Sequence, residues 1–268
     1  MDRRKYALLD ADFVIKTIIS RKEDGCHLLD LLVADDSFSY VCHEITASEI
    51  SVHDECGASV WLKRAVDEGR IRMFSDDDIL RLLCSSYGIS GMEFYRDYLR
   101  TACDAMSTGL YSTHYGRIEE YDPVNGSALF LRLLQKCDNS AGHGRSLGES
   151  KVMVLLQTLR HFHPGRVYLF CSDDRRARAG MFSIARIPCK SVISIYWDLY
   201  ADGVSKEEAC EYFRHLKNYI TRNGADSGNI RVYSRTGNDQ LRLPCQQVFD
   251  EIFEGRFDSL QSGMLKYR

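Results

Sequence analysis

Residues 167–171, Val-Tyr-Leu-Phe-Cys, are a short run of β-forming apolar side chains that stops at Ser172-Asp173-Asp174. A run without polar alternation suits a strand buried on both faces. Residues 5–9, Lys-Tyr-Ala-Leu-Leu, repeat the arrangement and end at Asp10-Ala11-Asp12. In both places a helical pattern follows, over residues 13–20 and 175–183. Strand, acid, helix, twice in one chain, constrains the fold to a parallel α/β sheet. It also places the acids at the carboxyl edge of that sheet, where such folds bind ligands. Helix capping explains some of these acids, because Ser172 can cap and a helix dipole favours acids in its first turn. Asp10, at the end of a buried strand, is costly without a partner.

The remaining elements fit the same alternation. Residues 25–33 read as a helix and 38–42 as a second strand. Ile45-Thr46-Ala47-Ser48-Glu49-Ile50 carries a capping-box pattern (Thr46, Glu49) inside a hydrophobic staple, and predicts a helix from residue 46 toward 65. Residues 72–139 read as a helical insertion, with helices over 76–84, 92–106 and 128–137 and a loop over 109–126. Its tyrosines (Tyr95, Tyr98, Tyr111, Tyr115, Tyr121) could stack on bases, but packing is the commoner use of such residues. After a glycine-rich stretch over 140–147, Leu147-Gly148-Glu149-Ser150 opens a helix in which Val152, Leu155, Leu156 and Leu159 share a face. Ser146 and Glu149 form a second capping-box pattern. A strand over 187–195, a helical turn over 196–200 and a helix over 205–221 complete a domain of residues 1–221. Residues 222–268 read as an accessory element: a hairpin over 231–243, turning at Thr236-Gly237-Asn238-Asp239, then a short helix.

A formal net charge of −3 excludes a broadly basic nucleic-acid coat but leaves room for a local patch. The ten cysteines contain no C-x-x-C pair and no cysteine–histidine cluster of zinc spacing, so they read as free thiols of a reducing compartment. Met-Asp-Arg-Arg-Lys leads straight into a strand-like segment, and no apolar run approaches the ~20 residues of a membrane span. The expected setting is cytoplasmic, with no membrane partner.

Asp10, Asp173 and Asp174 follow strands, and Glu49 and Glu149 open helices, so all five can face one edge. Such a cluster is electrostatically prohibitive without a cation. Mg²⁺ or Mn²⁺ resolves it, since hard cations take carboxylate oxygens. The chemistry such an ion supplies suits phosphodiester hydrolysis. Arg175, Arg176 and Arg178, with Lys151, are then the candidates to hold substrate phosphates.

Leu8-Leu9-Asp10-Ala11-Asp12, Ile45-Thr46-Ala47-Ser48-Glu49-Ile50, Leu147-Gly148-Glu149-Ser150-Lys151 and Cys171-Ser172-Asp173-Asp174-Arg175-Arg176-Ala177-Arg178 occur in this order. The series resembles the PIN domain, a family of metal-dependent nucleases, over roughly residues 5–200. The resemblance implies a doubly wound parallel sheet and a catalytic set of Asp10, Glu49, Glu149 and Asp173 or Asp174. It implies metal on Asp10, Glu149 and the Asp173/Asp174 pair. Asp12 falls at a supporting polar position, and Ser172 at the Ser/Thr that orients the site. Expected with it are single-stranded RNA as substrate, homodimerisation and an inhibitory protein partner of the toxin–antitoxin kind. Ser146 departs from the family, which often has another acid there, and the insertion and the tail have no counterpart in the minimal domain.

Two other readings stay open. Asp10-Ala11-Asp12-Phe13-Val14 fits the D-x-D-x-[TV] motif of haloacid-dehalogenase-like phosphatases, with Asp10 as nucleophile, Asp12 as acid/base and Lys151 as the one lysine near the expected place. That reading leaves Glu49 and Glu149 without a role. The third is a non-catalytic domain that binds RNA or a protein, in which capping explains both glutamates.

Overall fold

The computed structural model describes residues 5–52, 54, 56–106, 109–142, 146–223, 228–233 and 240–255. In chain order the elements are β1 (Lys5–Leu9), α1 (Ala11–Ile19), α2 (Leu28–Val33), β2 (Phe38–His43), α3 (Glu44–Val52), α4 (Ala58–Asp67) and β3 (Ile71–Phe74). Next come α5 (Asp76–Tyr87), α6 (Ser90–Met106), the short α7 (Leu110–His114) and α8 (Gly116–Glu119), a 3-10 turn (Pro123–Asn125), α9 (Ser127–Ala141) and α10 (Leu147–Phe162). Then follow β4 (Tyr168–Cys171), α11 (Arg175–Ala185), β5 (Cys189–Lys190), α12 (Val192–Ala201), α13 (Lys206–Asn223), β6 (Asn229–Tyr233), β7 (Gln240–Pro244) and α14 (Cys245–Phe253).

β1 to β5 form one parallel sheet in the order β3-β2-β1-β4-β5; β6 and β7 make a separate antiparallel hairpin. Successive residues of each central strand feed opposite cores, as the two-residue period of a strand requires. Ala7, Leu9, Tyr40, Cys42, Leu169 and Cys171 face one core with α1, α2, α4, α12, α13 and α14. Leu8, Val41, Tyr168 and Phe170 face the other with α5, α6, α9, α10 and α11. The sheet is therefore the middle of three layers, which is why its central strands β1 and β4 read as apolar runs. α14 packs into the first core, where Phe249 stacks on Phe213 at 4.2 Å.

The α/β parallel architecture matches the expectation, and four local readings change. Residues 71–74 are the third strand, so the insertion opens with an edge strand; the exposed Arg72 interrupts its apolar run. The helix expected from 46 to 65 is two helices, α3 and α4, with Gly57 between them in the left-handed region at φ 78°. The strand expected over 187–195 is only Cys189–Lys190, because Ser191 caps α12 through the Ser194 N–H. The tyrosine-rich stretch holds α7 and α8, and Tyr95, Tyr111 and Tyr115 are buried in packing. The expected hairpin turn at 236–239 lies outside the described residues. All ten cysteines are free, and no helix among the described residues is long and apolar enough to cross a membrane.

Candidate carboxylate site

The strand order reverses between β1 and β4, since β2 and β3 lie on one side and β5 on the other. Asp10 and Ser172-Asp173-Asp174 leave these two neighbouring strands at that switch point, the place where open α/β sheets form a ligand crevice. Asp10 is 5% exposed. Its N–H donates to the Cys171 carbonyl at 3.0 Å, and its Oδ2 accepts from Ser172 Oγ at 2.6 Å. Ser172 Oγ accepts in turn from the Asp174 N–H at 3.0 Å, and Asp174 Oδ1 caps α11 by accepting the Ala177 N–H at 2.8 Å. Ser172 thus fixes the Asp10 carboxylate, and one oxygen of Asp174 is committed to the cap.

Glu49 comes from α3 and Glu149 from the first turn of α10. Neither expected capping box forms. α3 begins at Glu44, directly after β2, so Glu49 lies in the second turn. Ser146 precedes α10 in the left-handed region (φ 60°) and makes no side-chain cap bond. The capping-box explanation for both glutamates therefore falls away, while Glu149 keeps its place in the first turn of α10. Glu49 instead reaches across to α10 and lies against Gly148, whose N–H eases its ionisation; a Cβ at residue 148 would overlap its carboxylate.

The three acids load one another. Burial pushes the Asp10 carboxyl up to about 7, with the Glu149 and Asp12 charges adding to it and the Ser172 hydrogen bond opposing it. Burial, then the charges of Asp10 and Glu149, push Glu49 up to about 8. Burial and the Asp174 charge raise Glu149 as well. Among the described residues no lysine or arginine pairs with any of the three.

The other expected site residues are engaged elsewhere. Lys16, one turn after Asp12 on α1, reaches Asp12 at 2.8 Å and Asp173 at 3.0 Å. Asp173 Oδ1 also accepts the Val192 N–H at 2.8 Å, at the start of α12. Burial opposes its ionisation, but Lys16, Arg178 and that N–H outweigh it and hold Asp173 below the usual carboxylate range. The expected metal ligand Asp173 is thus a brace between β4, α1 and α12, with both oxygens taken. Arg178, expected on substrate phosphate, donates to the Ser172 carbonyl at 2.9 Å and stiffens the same strand end. Arg176 is exposed on α11; the Arg175 side chain lies outside the described residues.

Lys151 is the clearest correction. It is buried, and its three N–H donors have three acceptors: Asp76 Oδ2 at 2.8 Å, Asp138 Oδ2 at 2.9 Å and the Tyr95 hydroxyl at 3.3 Å. None is left for a phosphate, so the D-x-D phosphatase reading loses its only lysine. The same network contains residues that the sequence reading did not single out. His43 ends β2 and donates from Nε2 to Asp76 Oδ1 at 3.1 Å, while its Nδ1 accepts the Ile45 N–H at 3.2 Å. His43, Glu44 and Asp76 bring one donor atom each within 4.8 Å of one another, a trio that could hold a metal ion. An ion there would displace existing hydrogen bonds, because Asp76 already serves His43, Tyr95 and Lys151. A sequence signal for Asp76 existed: it follows β3 as Asp10 follows β1.

Comparison of the chain with protein-family models, with curated proteins and with solved structures gave no match.

Proposed function

We propose that the chain is a metal-dependent nuclease of the PIN type that hydrolyses phosphodiester bonds in single-stranded RNA, with Asp10, Glu49, Glu149 and Asp174 as its carboxylate site. The observation that carries this reading is that Asp10, Glu49 and Glu149 stand together at the switch point, their carboxyls pushed up by burial and neighbouring acids, without a basic side chain paired to them among the described residues. Desolvating three carboxyls together is costly. A divalent cation removes that cost, and an all-oxygen donor set fits Mg²⁺ or Mn²⁺ rather than a thiol-seeking metal. Bound there, the cation would stabilise charge on a phosphoryl oxygen and make a water easier to ionise.

The chain supplies the rest. Ser172 fixes the rotation of Asp10 by holding Oδ2, which leaves Oδ1 for the cluster. The missing side chain at Gly148 lets Glu49 lie against the start of α10. Glu49, beside the cluster, is the carboxylate placed to take a proton from an attacking water once a bound cation favours its charged form. Arg176, exposed after the site on α11, is the described cation available to substrate phosphates.

The test is cleavage of a single-stranded RNA with Mn²⁺ or Mg²⁺. Activity that needs the metal and is lost in Asp10→Asn and in Glu149→Gln supports the nuclease. Hydrolysis of small phosphoesters that survives Glu149→Gln, with RNA intact, refutes it.

A further inference from the structure

We infer that Asp76 is a positioning residue for the carboxylate site: it holds α3 and α10 at the spacing that seats the Glu49 carboxylate against Gly148. Its catalytic consequence rests on the nuclease reading above; its structural content does not.

Asp76 opens α5 and is buried. Toward α3 it makes two ties. Its N–H donates to Glu44 Oε1 at 3.3 Å, and its Oδ1 accepts from His43 Nε2 at 3.1 Å. The Ile45 N–H on His43 Nδ1 fixes the neutral tautomer with its proton on Nε2, so the imidazole bridges the first turn of α3 to Asp76. Toward α10 it makes one strong tie, Oδ2 to the Lys151 ammonium at 2.8 Å. Lys151 stands three residues after Gly148 and two after Glu149. The Tyr95 hydroxyl, on α6, donates to Asp76 Oδ1 and fills its remaining acceptor capacity. One carboxylate therefore joins the two helices that carry the two glutamates.

The site needs such a tie. The start of α10 lacks a side-chain cap at Ser146, and the Glu49–Gly148 approach is too close to admit a Cβ. A helix is stiff over one turn, so any movement allowed at Lys151 appears at the Gly148 N–H and the Glu149 carboxyl. Burying a charge costs more than an exposed pair can return, and breaking one partner strands the other. That makes the hub a two-ended constraint rather than an adjustable surface contact.

The experiment follows the Gly148 amide in the full-length protein labelled with ¹⁵N-glycine. Gly91 serves as the internal control, since it packs on the backbone of Leu83 and Cys84 between α5 and α6 and its amide bonds to Gly88. Two variants are measured: Asp76→Asn, which keeps the shape and can still meet His43, and the uncharged pair Asp76→Asn/Lys151→Met. The expected result is a loss of Gly148 exchange protection of about tenfold or more with Gly91 unchanged. The Mn²⁺ needed for half-maximal RNA cleavage should rise by a similar factor. Gly148 protection that is retained, or that falls only together with Gly91, overturns the inference. If the wild type neither binds Mn²⁺ nor cleaves RNA, the nuclease reading falls, and the amide result still decides the role of Asp76.

Discussion

The carboxylate of Glu49 occupies the space where a Cβ on residue 148 would stand. A glutamate from α3 thus stands at the start of α10, beside its orphan N–H groups and the positive end of the helix dipole. The contact joins the two helices beside Asp10. It also explains why a residue of low helix propensity stands in the first turn of a helix that is otherwise almost wholly buried.

Gly148→Ala should therefore separate stability from function. Alanine gains up to about 1 kcal/mol of helix propensity. The overlapping atoms are the tip of a flexible side chain, so Glu49 can swing away at small cost. We expect a melting temperature within a few degrees of wild type and a Mn²⁺ affinity reduced about tenfold or more, checked by thermal melts and Mn²⁺ titration. Gly91→Ala is the contrast. There the new Cβ meets the backbone of Leu83 and Cys84, which cannot swing, so about 1–3 kcal/mol of stability should be lost in denaturant titration.

The metal-free protein should lose stability as pH rises. Asp10 and Glu49 have folded pKa values of about 7 and 8, above their unfolded values of 3.8 and 4.5, and Glu149 is raised too. Groups raised on folding stabilise fully below the unfolded pKa, and that contribution is lost as pH climbs through the folded pKa. Asp173 and Asp76 are shifted the other way, so their contribution is lost only as pH falls below 3.8. Melts in a chelator should thus be highest near pH 5 and fall toward pH 8.5. Excess Mg²⁺ should restore stability at the alkaline end, by about 2.7 kcal/mol at a hundred times its Kd. A melting temperature that rises from pH 5 to 8.5 without metal would contradict the charging of these carboxyls.

Asp173 and Asp10 should part company under the same conservative change. Asp173→Asn weakens the tie to Lys16 and the brace to the Val192 N–H, and should cost about 1–3 kcal/mol while leaving Mn²⁺ affinity within about threefold. Asp10→Asn removes a charge from the crowded side of the site. It should stabilise the metal-free protein at pH 8 and abolish Mn²⁺ binding. Paired denaturation and Mn²⁺ titrations of the two variants check this.

What the sequence disclosed is set by range. β1 and β4 were readable because each is an apolar run closed by acids, and the convergence of Asp10 with Ser172 followed from parallel topology. β3 was hidden because an edge strand of four residues tolerates the exposed Arg72 among them. The capping patterns at Thr46 and Ser146 misled, because strand β2 runs straight into α3 and Ser146 takes a left-handed conformation; tertiary packing overrode the local signal. Asp173 and Lys151 could not be assigned from the chain alone. Their partners stand far away in sequence, Asp173 bonding to Lys16 and Lys151 to Asp76. Two adjacent aspartates look alike in a sequence, yet one braces three elements while the other caps a helix and faces Glu149.

Mn²⁺ titration of the full chain near pH 7.5, followed by calorimetry or by the electron paramagnetic resonance of free Mn²⁺, tests the central claim most directly. A saturable site that is lost in Asp10→Asn and in Glu149→Gln, and kept in His43→Gln, is the result expected of a carboxylate centre at the β1–β4 switch point. No saturable binding, or binding that survives Asp10→Asn and disappears in His43→Gln, would contradict it.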